Sequence, residues 1–201
     1  GGSDSPAVFR EVAAGLLQAG LRAPDGVLRS RAAGALAAWR APDLLPVFRE
    51  ALAHPDASVR ALGIQGLGKL PGEDPARLVL GAFDDPQAEV RAAAASASVG
   101  RSDPETHAAL EKALTDADPL VRMRAAATLA KGGNAGASGV LATLLADGRD
   151  SIRMQSAEAV GHLGLLTDAG VHARVAELLG APSAPAAGEA GHGGPEQQHS
   201  Q

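Results

Sequence analysis

Apolar and polar positions recur along this chain at a fixed step. Leu28-Arg29, Val59-Arg60, Val90-Arg91, Val121-Arg122 and Ile152-Arg153 follow one another every 31 residues, and Leu21, Leu52, Phe83, Leu114 and Leu145 keep that step in a second phase. Pro24, Pro55 and Pro86 hold a third phase, and Asp85, Asp116 and Asp147 a fourth. Within one unit, Leu44, Val47, Phe48, Ala51 and Leu52 have the spacing of one helix face, as do Ala109, Leu110, Ala113 and Leu114 in another. A turn such as His54-Pro55-Asp56 or Asp116-Ala117-Asp118-Pro119 follows, and a second helical run begins near Val59 or Val121. Asp56 and Asp118 are placed to cap that second helix by accepting its free N–H groups. Gly100, Gly132 and Gly164 are placed to close it in the left-handed conformation.

A helical hairpin repeated at this period cannot bury its apolar face alone and gains stability by stacking on its neighbours. The pattern predicts an all-α fold: an α-solenoid of about five stacked helix pairs over residues 6–180. The first helix is expected from Pro6 to about Leu21, and a final capping helix from about Ala169 to Leu179, delayed by the insertion Gly164-Leu165-Leu166-Thr167. Residues 1–5 read as a flexible leader and 181–201 as a disordered tail rich in Ala, Pro, Gly and Gln. Four residues after each anchor stands a small side chain (Ala32, Gly63, Ala94, Ala125, Ser156), which predicts close approach of neighbouring second helices. Ser98 breaks the apolar phase held by Leu36, Leu67, Leu129 and Val160, marking the third repeat as the weak one.

The second-helix segment Val121-Arg122-Met123-Arg124-Ala125-Ala126-Ala127-Thr128-Leu129-Ala130, with the start Asp56-Ala57-Ser58-Val59-Arg60, resembles short HEAT-type repeats of the phycobilisome-lyase class. The resemblance spans roughly residues 6 to 180 and implies the solenoid fold. It also implies, as one alternative, an accessory subunit acting on a bound protein, as lyases of that class do. The signatures of tetratricopeptide and ankyrin arrays are missing.

Composition narrows the chemistry. Arginine, 15 of 18 basic residues, together with abundant Ala and Gly, suggests a GC-rich bacterial genome. The net charge of −5 argues against a nucleic-acid partner, which would be met by a basic excess. Without Cys there is no disulfide, thiolate metal site or Cys nucleophile. No apolar run in the sequence reaches membrane-spanning length. The leader Gly1-Gly2-Ser3-Asp4-Ser5 has two readings: an added linker, or the stub beside a lipid-modified Cys. The compartment is cytoplasmic by default and extracytoplasmic under the second reading.

No catalytic constellation, metal site or cofactor motif emerges. The six His are scattered and none precedes Glu, so the paired His-Glu iron ligands of deoxyhypusine hydroxylase, another helical-repeat protein, have no counterpart. Gly132-Gly133-Asn134-Ala135-Gly136 lacks the Lys of a phosphate loop and follows a helix. The arginine ladder (Arg29, Arg60, Arg91, Arg122, Arg153) reads as structural, each Arg reaching loop carboxylates such as Asp85, Asp116 or Asp147. Trp39 reads as a cover over a repeat interface.

The expected function is a protein-interaction scaffold binding through the concave face that second helices line. Positions two, three, six and ten residues after each anchor are expected there. They are bland early (Ser30, Gly34, Ala38, Ala92, Ala93, Gly100) and carry chemistry later: Met123, Arg124 and Lys131, then Met154, Gln155, Glu158 and His162. Two exposed Met beside Arg and Lys would suit an adaptable protein-binding surface.

Overall fold

A computed structural model describes residues 22–38 and 44–179, together with residues 15, 19 and 20. The leader, nearly all of the expected first helix, Trp39 and the 181–201 tail lie outside the described residues. Ten α-helices run in order: α1 (Gly26–Ala38), α2 (Leu45–Leu52), α3 (Ala57–Leu67), α4 (Glu73–Gly81), α5 (Ala88–Ala97), α6 (Pro104–Ala113), α7 (Pro119–Lys131), α8 (Ala135–Leu144), α9 (Asp150–His162) and α10 (Ala169–Leu178). Among the described residues there is no strand. The odd-numbered helices α1 to α9 are the second helices of successive pairs, and α10 is the late final helix. Of two short 3-10 helices among the described residues, Ala82–Asp84 and Leu165–Thr167, the second takes up the inserted residues before α10.

Local chemistry sets the helix ends. Asp56 accepts from the Ser58 N–H and Asp118 from the Leu120 N–H, capping α3 and α7 as the sequence predicts. Asp103, Asn134 and Asp168 do the same for α6, α8 and α10. Gly100 and Gly164 adopt positive φ as expected. Gly132 does not: its φ is −81, and Gly133, at φ +87, makes the left-handed step one residue later. The α7 helix runs through Lys131, so the reversal falls on the second glycine of the pair.

Stacking follows the small-residue stripe. Helices α3, α5 and α7 lie closely against one another, whereas α4 and α6 touch sparingly, so the stack bends toward the row of second helices. Two cores result. Phe48, Val59, Ile64, Leu67 and Val79 fill the first, and Val121, Met123, Leu129, Leu141 and Val171 the second. They meet at α5, whose Ala93 and Ala94 belong to one and Ala92 and Ala95 to the other. A Cβ on Gly68 would sit 2.7 Å from the Ala97 Cβ and 2.9 Å from its backbone, which measures how tightly α3 and α5 approach. The Thr128 hydroxyl donates to the Ala95 carbonyl at 2.9 Å, tying α7 to α5. Ser98 is buried, and its hydroxyl donates to the Ala94 carbonyl of its own helix at 2.9 Å.

Four described arginines share one arrangement. In each, a guanidinium N–H donates back to the turn that precedes its helix: Arg60 to the His54 and Pro55 carbonyls, Arg91 to Asp85 and Pro86, Arg122 to Asp116 and Ala117, and Arg153 to Asp147. Arg60 also grips Asp85 of the next repeat through two bonds of 2.9 and 3.0 Å, and Arg91 grips Asp116 at 2.8 and 2.9 Å. These rungs hold Asp85 and Asp116 below the usual carboxylate range: the Arg hydrogen bond lowers each pKa, burial opposes it, and a backbone N–H of the turn assists. The ladder stops there. Arg122 forms no ion pair with Asp147, which is met instead by Arg149 of its own repeat at 3.6 Å.

Candidate functional site

The missing rung coincides with a change in packing. Helices α7 and α9 touch far less than the earlier second-helix neighbours, while the first helices α8 and α10 draw together. Side-chain volume accounts for the parting. Two residues after the anchor, α3 and α5 carry Ala61 and Ala92, but α7 carries Met123. All three are buried, Met123 at 1% exposure. The thioether occupies the space that an alanine would leave for the next helix, which keeps α9 from closing onto α7.

A groove of about 340 Å³ opens between α7 and α9, with Met123 and Thr128 among the residues lining it and Ser96 and Val99 of the α5 end beside them. Arg124 and Lys131 rise from the α7 wall; Gln155, Glu158 and His162 rise from the α9 wall. The Arg124 guanidinium spans the gap and donates to the Gln155 side-chain oxygen at 2.8 Å, across one full repeat. A second hollow of about 390 Å³ continues past Lys131 over the Val99–Ser102 turn to His107 of α6. Arg101 lies on its rim. Arg101, Arg124, Lys131 and Glu158 make no ion pair among the described residues.

Six of the seven residues singled out from the sequence therefore share one groove. The exception is Met154, 61% exposed but not among the groove-lining residues. The rule that placed it needs correction. Positions two residues after the anchor are covered by the next second helix, so Ala61, Ala92 and Met123 are buried, as is Ala93 one position on. Met154 is exposed because no described second helix follows α9. Met123 is thus a floor and spacer rather than an exposed contact.

Val99, Thr128 and Arg101 are groove or rim residues that periodicity did not select. Val99 is 43% exposed, and an apolar side chain beside the helix-ending Gly100 was the available signal for it. Arg101 follows that same glycine outside the repeat phase. Among the described residues, no group of three or more His, Asp or Glu side chains is arranged to hold a metal, and no helix is long and apolar enough to cross a membrane.

Stacked helix pairs with a shared inner row, continuous cores and an open groove define the α-solenoid class. Within it, a family model for HEAT repeats matches residues 13–98 and again 75–161. The chain belongs to the HEAT-repeat family. Among solved structures it is similar to an engineered protein determined by a structural genomics consortium, at 20% identity and a TM-score of 0.45, covering 83% of this chain and 95% of that one. No curated protein matches the sequence significantly. HEAT repeats generally mediate protein–protein interaction.

Proposed function

We propose that this protein is a non-enzymatic scaffold or adaptor that takes a protein partner in the groove between α7 and α9. The supporting observation is the clustering there of Arg124, Lys131, Gln155, Glu158 and His162, on the one stretch where the second helices part. A hollow of about 450 Å³ over α3 and α5 on the same inner row carries fewer charged side chains, Glu89 and Arg124. Met123 forms the groove's apolar base, with Val99 as a second apolar contact.

A photoreactive residue placed at Gln155 should cross-link to a discrete protein in the native host, and one placed at Glu111, exposed on α6, should not. Equal labelling from both positions, or none from Gln155, would overturn the reading.

A second reading, an accessory subunit of a lyase- or chaperone-type system, is supported by the likeness of the Val121–Ala130 segment to phycobilisome-lyase repeats. It predicts that the captured protein is released chemically modified or refolded rather than merely held. Nucleic-acid recognition is disfavoured by the −5 net charge and by Glu158 in the groove wall.

A further inference from the structure

We infer that the partner segment accepted by this groove is acidic, with carboxylates directed at α7 and an apolar side chain seated between Val99 and Leu163. This rests on the protein-binding reading above and specifies the chemistry of its ligand.

Arg22, Arg49, Arg60, Arg91, Lys112 and Arg149 each hold a carboxylate of another helix or turn within ion-pair distance, and Arg122, which does not, spends its guanidinium on the Asp116 and Ala117 carbonyls of its own turn. Arg124 and Lys131, seven residues and so two turns apart on α7, have no carboxylate within ion-pair distance, and Arg101, which also acts on Asp103 beside it, adds positive charge in the second hollow. Their spacing suits carboxylates two turns apart on a helical ligand, or a few residues apart on an extended one. Gln155 holds one guanidinium N–H of Arg124 and leaves the rest of its donors available. A neutral amide partner orients that guanidinium without neutralising it, so a carboxylate meets a positioned donor set.

The opposite wall makes the groove selective. Glu158 faces it from α9, so a ligand charged negatively all round is repelled on that side. A peptide with acidic residues along one edge satisfies both walls, and a nucleic-acid backbone does not. Val99 and Leu163 supply apolar lining between the charges.

Three synthetic peptides of equal length and leucine content, with the charged positions all Glu, all Gln or all Lys, provide the probes, together with an oligothymidylate. Fluorescence anisotropy with the full chain should show the Glu peptide binding about tenfold more tightly than the Gln peptide, with the Lys peptide and oligothymidylate weaker still. The R124E/K131E variant should invert the order of the Glu and Lys peptides. Both side chains are exposed, so helicity and melting temperature should be unchanged, and K131E alone should give an intermediate shift. Equal binding of Glu and Gln peptides, an unchanged order in R124E/K131E, or tighter binding of oligothymidylate than of the Glu peptide would each overturn the inference. Cross-linking from Gln155 separates the two failures. A discrete product without a preference for Glu peptides leaves the protein-binding site standing and removes only its acidic ligand.

Discussion

The α3–α5 and α7–α9 neighbours descend from the same repeat phase and pack differently. Between α3 and α5, Gly68 meets the Ala97 backbone and an Arg60–Asp85 rung closes the turn side. Between α7 and α9, the position in phase with Gly68 is Ala130 of α7, which carries a Cβ where the early seam admits none, and the Arg122–Asp147 rung is absent. Both pairs have the anchor and the preceding turn, and α7 and α9, of 13 residues each, are slightly longer than α3 and α5. The difference lies in side-chain volume at one inner position, Ala61 against Met123. Periodicity thus prescribes which helices form, while the bulk at a few contact positions decides whether a seam is sealed or open. In this chain the open seam is also where unpaired charge collects.

Removing the spacer should have the largest effect. Met123→Ala deletes a fully buried side chain and should cost about 2–5 kcal/mol by chemical denaturation, the spread depending on how far α9 collapses onto α7. The same variant should lose whatever binds the groove even where it remains folded.

Breaking a rung comes next. Arg91→Ala removes two charge-assisted bonds to Asp116 between side chains only 18% and 14% exposed, and should cost about 1.5–3 kcal/mol. Arg122→Ala, which loses carbonyl contacts and a weaker, longer-range attraction to Asp116, should cost about 0.5–1.5 kcal/mol. Because Arg91 depresses the Asp116 pKa, its contribution is fully present above the ordinary aspartate value. It fades as pH falls below about 4 toward the depressed value. Urea melts of wild type and Arg91→Ala should therefore converge in acid, while the smaller Arg122→Ala deficit should change little.

Much of this architecture was legible in the sequence, for a definite reason. Anchors such as Val59, Val90 and Val121 and caps such as Asp56 and Asp118 act within one hairpin, where spacing alone fixes the geometry. Rung partners were half legible: Asp85 and Asp116 stood at the right phase, but whether Arg122 reaches Asp147 depends on the separation of α7 and α9, which no single-repeat pattern encodes. The same gap misplaced Met123, because exposure two residues after the anchor depends on the next second helix, not on the residue's own. Arg124, Lys131, Gln155, Glu158 and His162 came together because α7 and α9 part there, which leaves open even the phase three residues after the anchor, where Ala93 is buried. Arg101 and Val99 were missed because they stand at the helix end, where phase carries less information.

Gly68→Ala should lower stability by about 1–3 kcal/mol, because the Cβ drives into the Ala97 backbone. The central claim, that the early seam is sealed and the late one open, is tested most directly by the distance across each seam at one repeat phase. Spin labels at Gln65 and Ser96 span α3 and α5, and labels at Ala127 and Glu158 span α7 and α9 at the same phase. Dipolar EPR of the two doubly labelled proteins decides it: a longer distance for Ala127/Glu158 is predicted, and equal distances, or a longer one for Gln65/Ser96, would contradict the account.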